Sequence, residues 1–121
     1  MPHLTIEYTR NLEDGFALEQ TLHDVNATLL DSGQIKENTD LKSRAVPLDM
    51  SLVGAAGGLH GFVYCVLRVL PGRTDEAKAA LTERIASVLR QRIPRPAGMV
   101  VQLSVEIVEM NKPSYVKEIL G

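Results

Sequence analysis

The chain has 121 residues, a formal charge of −2 and a pI of about 5.9. That length fits one domain with a sizeable core, and the charge balance argues against a nucleic-acid or anionic-membrane partner, either of which selects a basic face. Cys65 is the only cysteine, so no intrachain disulfide forms, and no apolar run approaches the roughly 20 residues of a membrane span.

No basic segment followed by an apolar one opens the chain, so the expected location is cytoplasmic. The first eight residues, Met1-Pro2-His3-Leu4-Thr5-Ile6-Glu7-Tyr8, read as a strand, and a strand tolerates proline at its first position. A second reading of Pro2 is chemical. Cells usually remove an initiator methionine that precedes a small residue, and removal here leaves a chain-terminal secondary amine. Held at the start of a buried strand, that amine is partly desolvated, which lowers its pKa from roughly 8 toward neutrality. It then takes up a proton as a general base and returns it as an acid. While Met1 is attached, the same nitrogen is a tertiary amide without a basic lone pair.

From Phe16 the period changes. Leu18, Leu22, Val25 and Leu29 form one stripe of an amphipathic helix, with Asp14 as a candidate N-cap and Ser32-Gly33 as the stop. Residues 34–40 are polar and loop-like. Residues 41–48 return to a strand ended by Pro47, and residues 49–61 form a glycine-rich connection that includes His60. That connection matches neither the P-loop nor the dinucleotide fingerprint. Residues 61–70 are the most apolar stretch and barely alternate, which predicts a strand covered on both faces. Thr74 caps a second helix, with Asp75 and Glu76 in its first turn and Ala77, Leu81, Ile85 and Val88 or Leu89 as its stripe. Val101, Leu103, Val105 and Ile107 then alternate with Gln102, Ser104, Glu106 and Val108 as a last strand with one apolar face.

Strand, helix and strand thus occur twice, the second copy about 58 residues after the first. The expectation is an α/β (α+β) domain over 1–121: two βαβ units, 1–57 and 58–110, with a C-terminal arm at 111–121 as a closing contact on a partner. The units build a four-stranded sheet with two helices on one face, their crossovers right-handed. The other face is bare in a monomer, and burial against copies of the chain covers it.

Besides Pro2, the informative groups are cations. Arg73 stands in Pro-Gly-Arg-Thr at the mouth of the second helix, where free backbone N–H groups favour an anion and a guanidinium captures a carboxylate bidentately. Arg44 and Lys42 share parity on their strand, which is expected to be central, and point to one face. The plainer account of all three is solvated surface charge. His3, His23 and His60 show no metal spacing, and parity places His3 on the face opposite Pro2. Tyr8 and Tyr64 are oxyanion donors in principle, although packing is the commoner role.

Met1-Pro2-His3 opening a strand, Ser43-Arg44, and Gly72-Arg73 opening the second helix together resemble the tautomerase superfamily, and within it 5-carboxymethyl-2-hydroxymuconate Δ-isomerases. The likeness covers nearly the whole chain. It implies a homotrimer whose sheets enclose a central barrel, a cofactor-independent isomerase of aromatic catabolism, and Pro2 as the base. It implies Arg44 and Arg73 as clamps for a small carboxylate substrate, with Lys42 assisting. Lys42-Ser43-Arg44 stands where the family carries arginine-Ser-arginine, and lysine is not a neutral replacement at a bidentate site. Two alternatives share the fold: a keto–enol tautomerase, hydratase or dehalogenase acting on another small acid, and a non-enzymatic trimeric scaffold.

Overall fold

Even-numbered residues of the first strand, β1 (His3–Thr9), are core residues: Leu4, Ile6 and Tyr8 are buried, whereas His3, Thr5 and Glu7 on the other face are only half-buried. The computed structural model describes residues 1–121. After β1 come α1 (Leu18–Asp31), β2 (Lys42–Leu48), β3 (His60–Val69), α2 (Asp75–Arg92) and β4 (Val100–Glu109). β1 pairs in parallel with β2, β3 in parallel with β4, and β1 with β3 antiparallel, which gives the order β2-β1-β3-β4. The two βαβ units predicted by the repeated pattern are present, and they meet along β1 and β3.

The core lies between the sheet and the helices. Leu4, Ile6, Val63, Cys65, Leu67 and Val69 from the sheet meet Val25 and Leu29 of α1 and Leu81, Ile85 and Leu89 of α2. Each such aliphatic side chain contributes about 1.5–3 kcal/mol when fully buried. Thr21 sits in the α1 stripe and is also buried. Its hydroxyl donates to the Ala17 carbonyl at 2.7 Å, which satisfies the polar group inside the core. In α2 the stripe ends on Leu89, fully buried, while Val88 packs at its edge. Burial pushes the Cys65 thiol up to about 12, so it is an inert core residue.

Four local readings change. Asp14 does not cap α1: the chain first makes a 3-10 turn at Arg10–Leu12, and Phe16 packs edge-on against Tyr8 at 5.7 Å, so the helix starts at Leu18 with Ala17 at the N-cap. β2 runs through Pro47 to Leu48 and is an edge strand, not a central one. An edge position tolerates the missing donor of proline. His60 opens β3 rather than lying in the preceding loop. β3 also alternates more than its composition suggests, because Phe62 and Tyr64 are apolar in composition yet half-buried on the face away from the helices, where Arg68 is exposed. Val66 is buried on that face without joining the core.

Thr74 caps α2 as expected, its hydroxyl accepting from the Ala77 N–H at 3.1 Å. Thr74→Ala is expected to cost about 1 kcal/mol, read as a lower denaturation midpoint with an unchanged slope. No helix is long and apolar enough to cross a membrane.

Candidate active site

The pairing brings four strand ends together: β1 and β2 begin where β3 and β4 finish. At this edge Pro2 is buried, and its carbonyl accepts from the Lys42 N–H at 3.1 Å. Beside it lies a cleft of about 190 Å³, lined by Met1, Pro2, Gln34, Ile35, Lys36, Asp40 and Arg73. Glycine geometry shapes two of its walls. Gly33, at φ 77°, turns the chain out of α1 toward Gln34, and Gly72, at φ 128°, makes the turn that presents Arg73.

Arg73 is half-buried. One terminal nitrogen donates to the Gln34 carbonyl at 2.7 Å, the other to the Leu70 carbonyl at 3.4 Å, and its Nε is buried without any partner. A buried guanidinium N–H without an acceptor is a costly arrangement. The amino group of Met1 is shifted below its ordinary value, first by burial. Asp40 acts in the opposite direction, and Arg73, Lys42 and Lys117 add to the lowering. An amine at this edge is thus both partly dehydrated and surrounded by cations.

Lys42 and Arg44 do point to one face, as parity predicts, but it is the face away from the helices. Arg44 is exposed there and donates to Thr5 Oγ1 at 3.3 Å, and its other terminal nitrogen lies 2.9 Å from His3 Nδ1. His3 therefore does lie opposite Pro2. Its pKa is lowered by burial first, then by Arg44, Lys42 and the chain-terminal amine. Within one chain, then, Pro2 and Arg73 share the cleft, Lys42 stands at its margin with Nζ donating to the Asp40 carbonyl at 3.0 Å, and Arg44 lies across the sheet. Tyr8 donates to Glu13 at 3.1 Å, and Tyr64 to Glu106, so neither hydroxyl faces Pro2.

Two residues of this region carry no sequence signal. Asp40 belongs to the polar loop before β2. Lys117 belongs to the C-terminal arm, which already has a contact within its own chain: Nζ lies 2.7 Å from Asp40 Oδ1. A larger groove of about 310 Å³ between α2 and β4 holds Arg90, but that guanidinium is bound to Glu83 at 2.7 Å. No three His, Cys, Asp or Glu side chains gather as a metal-ligand set.

This architecture, paired βαβ units with the termini at one sheet edge, is the tautomerase fold. A solved 5-carboxymethyl-2-hydroxymuconate isomerase from Deinococcus radiodurans R1 is 27% identical, with a TM-score of 0.84 over 97% of this chain and 88% of its own. A second, a 5-carboxymethyl-2-hydroxymuconate delta-isomerase, is 22% identical, with a TM-score of 0.73 over 98% of this chain and 88% of its own. A fused 4-OT described as a symmetric trimer shares the fold at 15% identity and a TM-score of 0.60, over 88% of this chain and 87% of its own. No curated protein matches the sequence. The chain matches the 5-carboxymethyl-2-hydroxymuconate isomerase family over residues 2–119 and belongs to it. It is an isomerase of the tautomerase superfamily.

Proposed function

We propose that the chain, once freed of Met1, moves a proton on an unsaturated hydroxy or keto di- or tricarboxylic acid of the 5-carboxymethyl-2-hydroxymuconate kind, with Pro2 as the base. The observation that carries this reading is that Pro2 and Arg73 line one cleft at the end of the sheet. Cleavage after Met1 turns the Pro2 nitrogen from an amide into a secondary amine in that cleft. Its lone pair takes a proton from the dienol oxygen or an adjacent carbon and returns it to another carbon. Arg73 holds a carboxylate and stabilises the enolate charge that develops between the two transfers. A single proton shuttled in this way leaves the oxidation level of the acid unchanged, so these residues need no redox partner.

Lys42 assists from the margin of the cleft. Arg44 enters through assembly. It stands on the edge strand β2, and in a homotrimer the exposed guanidinium grips a second acid group at a site that subunit association completes. The trimer also covers the sheet face on which Phe62 and Tyr64 are only half-buried in the single chain.

The test is turnover of 5-carboxymethyl-2-hydroxymuconate by processed protein, beside phenylpyruvate-like and halogenated acids, with mass measured on the same sample by sedimentation. Rapid isomerisation of the dienol acid by a trimer supports the reading. A preference for a keto–enol or halogenated acid moves the chain to the other tautomerase chemistries, and no turnover of any acid overturns it in favour of a scaffold.

A further inference from the structure

The cleft beside Pro2 is cationic with one exception. Arg73, Lys36 and, at the margin, Lys42 and Lys117 surround it, and Asp40 is the only carboxylate among its lining residues. For a site that takes polycarboxylates this is an odd group to keep, since an unpaired anion there repels substrate. It is not unpaired. Lys117 Nζ lies 2.7 Å from Oδ1, and the two side chains are 27% and 17% exposed, so solvent screens the pair in part. Lys117 arrives from the far end of the sequence: Met110 N–H donates to the Val69 carbonyl at 2.7 Å, and the arm then runs from the end of β3 to Asp40.

We propose that Asp40 and Lys117 are positioning residues for the Pro2 base, a pair of opposed charges that sets the protonation of the amine while fastening the C-terminal arm at the rim of the cleft. This rests on the Pro2 reading and deepens it. The Lys117 bond, against the effect of burial, holds the Asp40 carboxyl below the usual carboxylate range, aided by the terminal amine and Lys42. Asp40 is therefore charged wherever the enzyme works, and an anion near an amine favours the protonated form. Lys117 opposes it directly and also neutralises the anion. The other charges facing the amine are Arg73 from the turn before α2, Lys42 from β2, and Lys36 from the loop after α1, with His3 as the neighbouring titratable group. All of these stay constant when only the pair is changed.

The experiment compares processed wild type, Asp40→Asn, Lys117→Met and the double variant, with two readouts. One is titration of the amine by NMR in ¹⁵N-proline-labelled protein, and the other is the pH dependence of kcat/KM with 5-carboxymethyl-2-hydroxymuconate. Asp40→Asn is expected to move the amine pKa, and the acid limb of the rate profile, down by about half a pH unit, and Lys117→Met to move both up by a similar amount. The double variant returns close to wild type. A pair that merely anchors the arm gives a different pattern: both single variants break the same contact, shift alike or not at all, and match the double variant. That pattern overturns the proposal. Because the NMR titration needs no turnover, it judges the pair even where the assay fails. Undiminished activity in Pro2→Ala removes the base, and this inference with it.

Discussion

Protein that keeps Met1 is expected to isomerise its substrate about 10²–10⁴-fold more slowly than processed protein, the range that a positioned general base supplies. The reason is a single bond. With Met1 attached, the Pro2 nitrogen is an amide whose lone pair is delocalised into the carbonyl, and no pH within the folded range makes it basic. The amino group of Met1 lines the same cleft, but it is a primary amine displaced by one residue from the position of the Pro2 nitrogen. Preparations with different degrees of processing separate the possibilities. With the processed fraction read by intact mass, kcat/KM should rise in proportion to it and extrapolate to nearly zero for uncleaved protein. Activity that does not depend on that fraction overturns the proline base outright. Pro2→Ala, processed in the same way, should lose less than Met1 retention. Alanine still offers an amine, but a primary one on a backbone that the pyrrolidine ring no longer holds.

The fold was legible in the sequence because its signals are local and repeated. The even-parity residues Leu4 and Ile6, the stripes ending at Leu29 and Leu89, and the Thr74 cap each report their own element, and the two strand–helix–strand halves agree with one another. The site was legible only in part. Pro2 and Arg73 carry chemical signals of their own, an unusual amine and a cation at a helix mouth, and the antiparallel pairing of β1 with β3 brings them to one edge. Parity gave the shared face of Lys42 and Arg44 correctly. It could not tell which side of the sheet holds the cleft, nor that β2 is an edge strand, because strand order is a property of pairing and not of any one segment. Asp40 and Lys117 lie 77 positions apart in polar segments without periodicity. Only the return of β4 to the edge where β1 begins brings them together.

Arg73→Ala is expected to lower kcat/KM by roughly 30- to 5,000-fold, the equivalent of about 2–5 kcal/mol for truncating one partner of a sheltered, hydrogen-bonded charge pair. The loss falls largely on substrate binding if Arg73 only grips a carboxylate, so that KM rises. It falls on kcat as well if the guanidinium also faces the enolate, since charge that develops in the transition state is then left unbalanced. Folding should suffer little. The two carbonyls that Arg73 engages belong to Gln34 and Leu70, at the exposed end of the sheet, where water takes its place. A stability change below about 1 kcal/mol alongside a large loss of activity therefore separates a substrate clamp from a structural arginine. Arg73→Lys makes the distinction finer. It keeps the charge but loses the planar fork and its Nε–H, a buried donor with no partner in the free chain. A clamp that uses that fork predicts a substantial loss for lysine too, whereas a cation acting only at a distance on the amine predicts near-complete rescue. Measured with a mono- and a dicarboxylate substrate at one pH, the lysine variant should discriminate less between the two than wild type does. Equal losses on both acids would mean that the guanidinium never held a carboxylate.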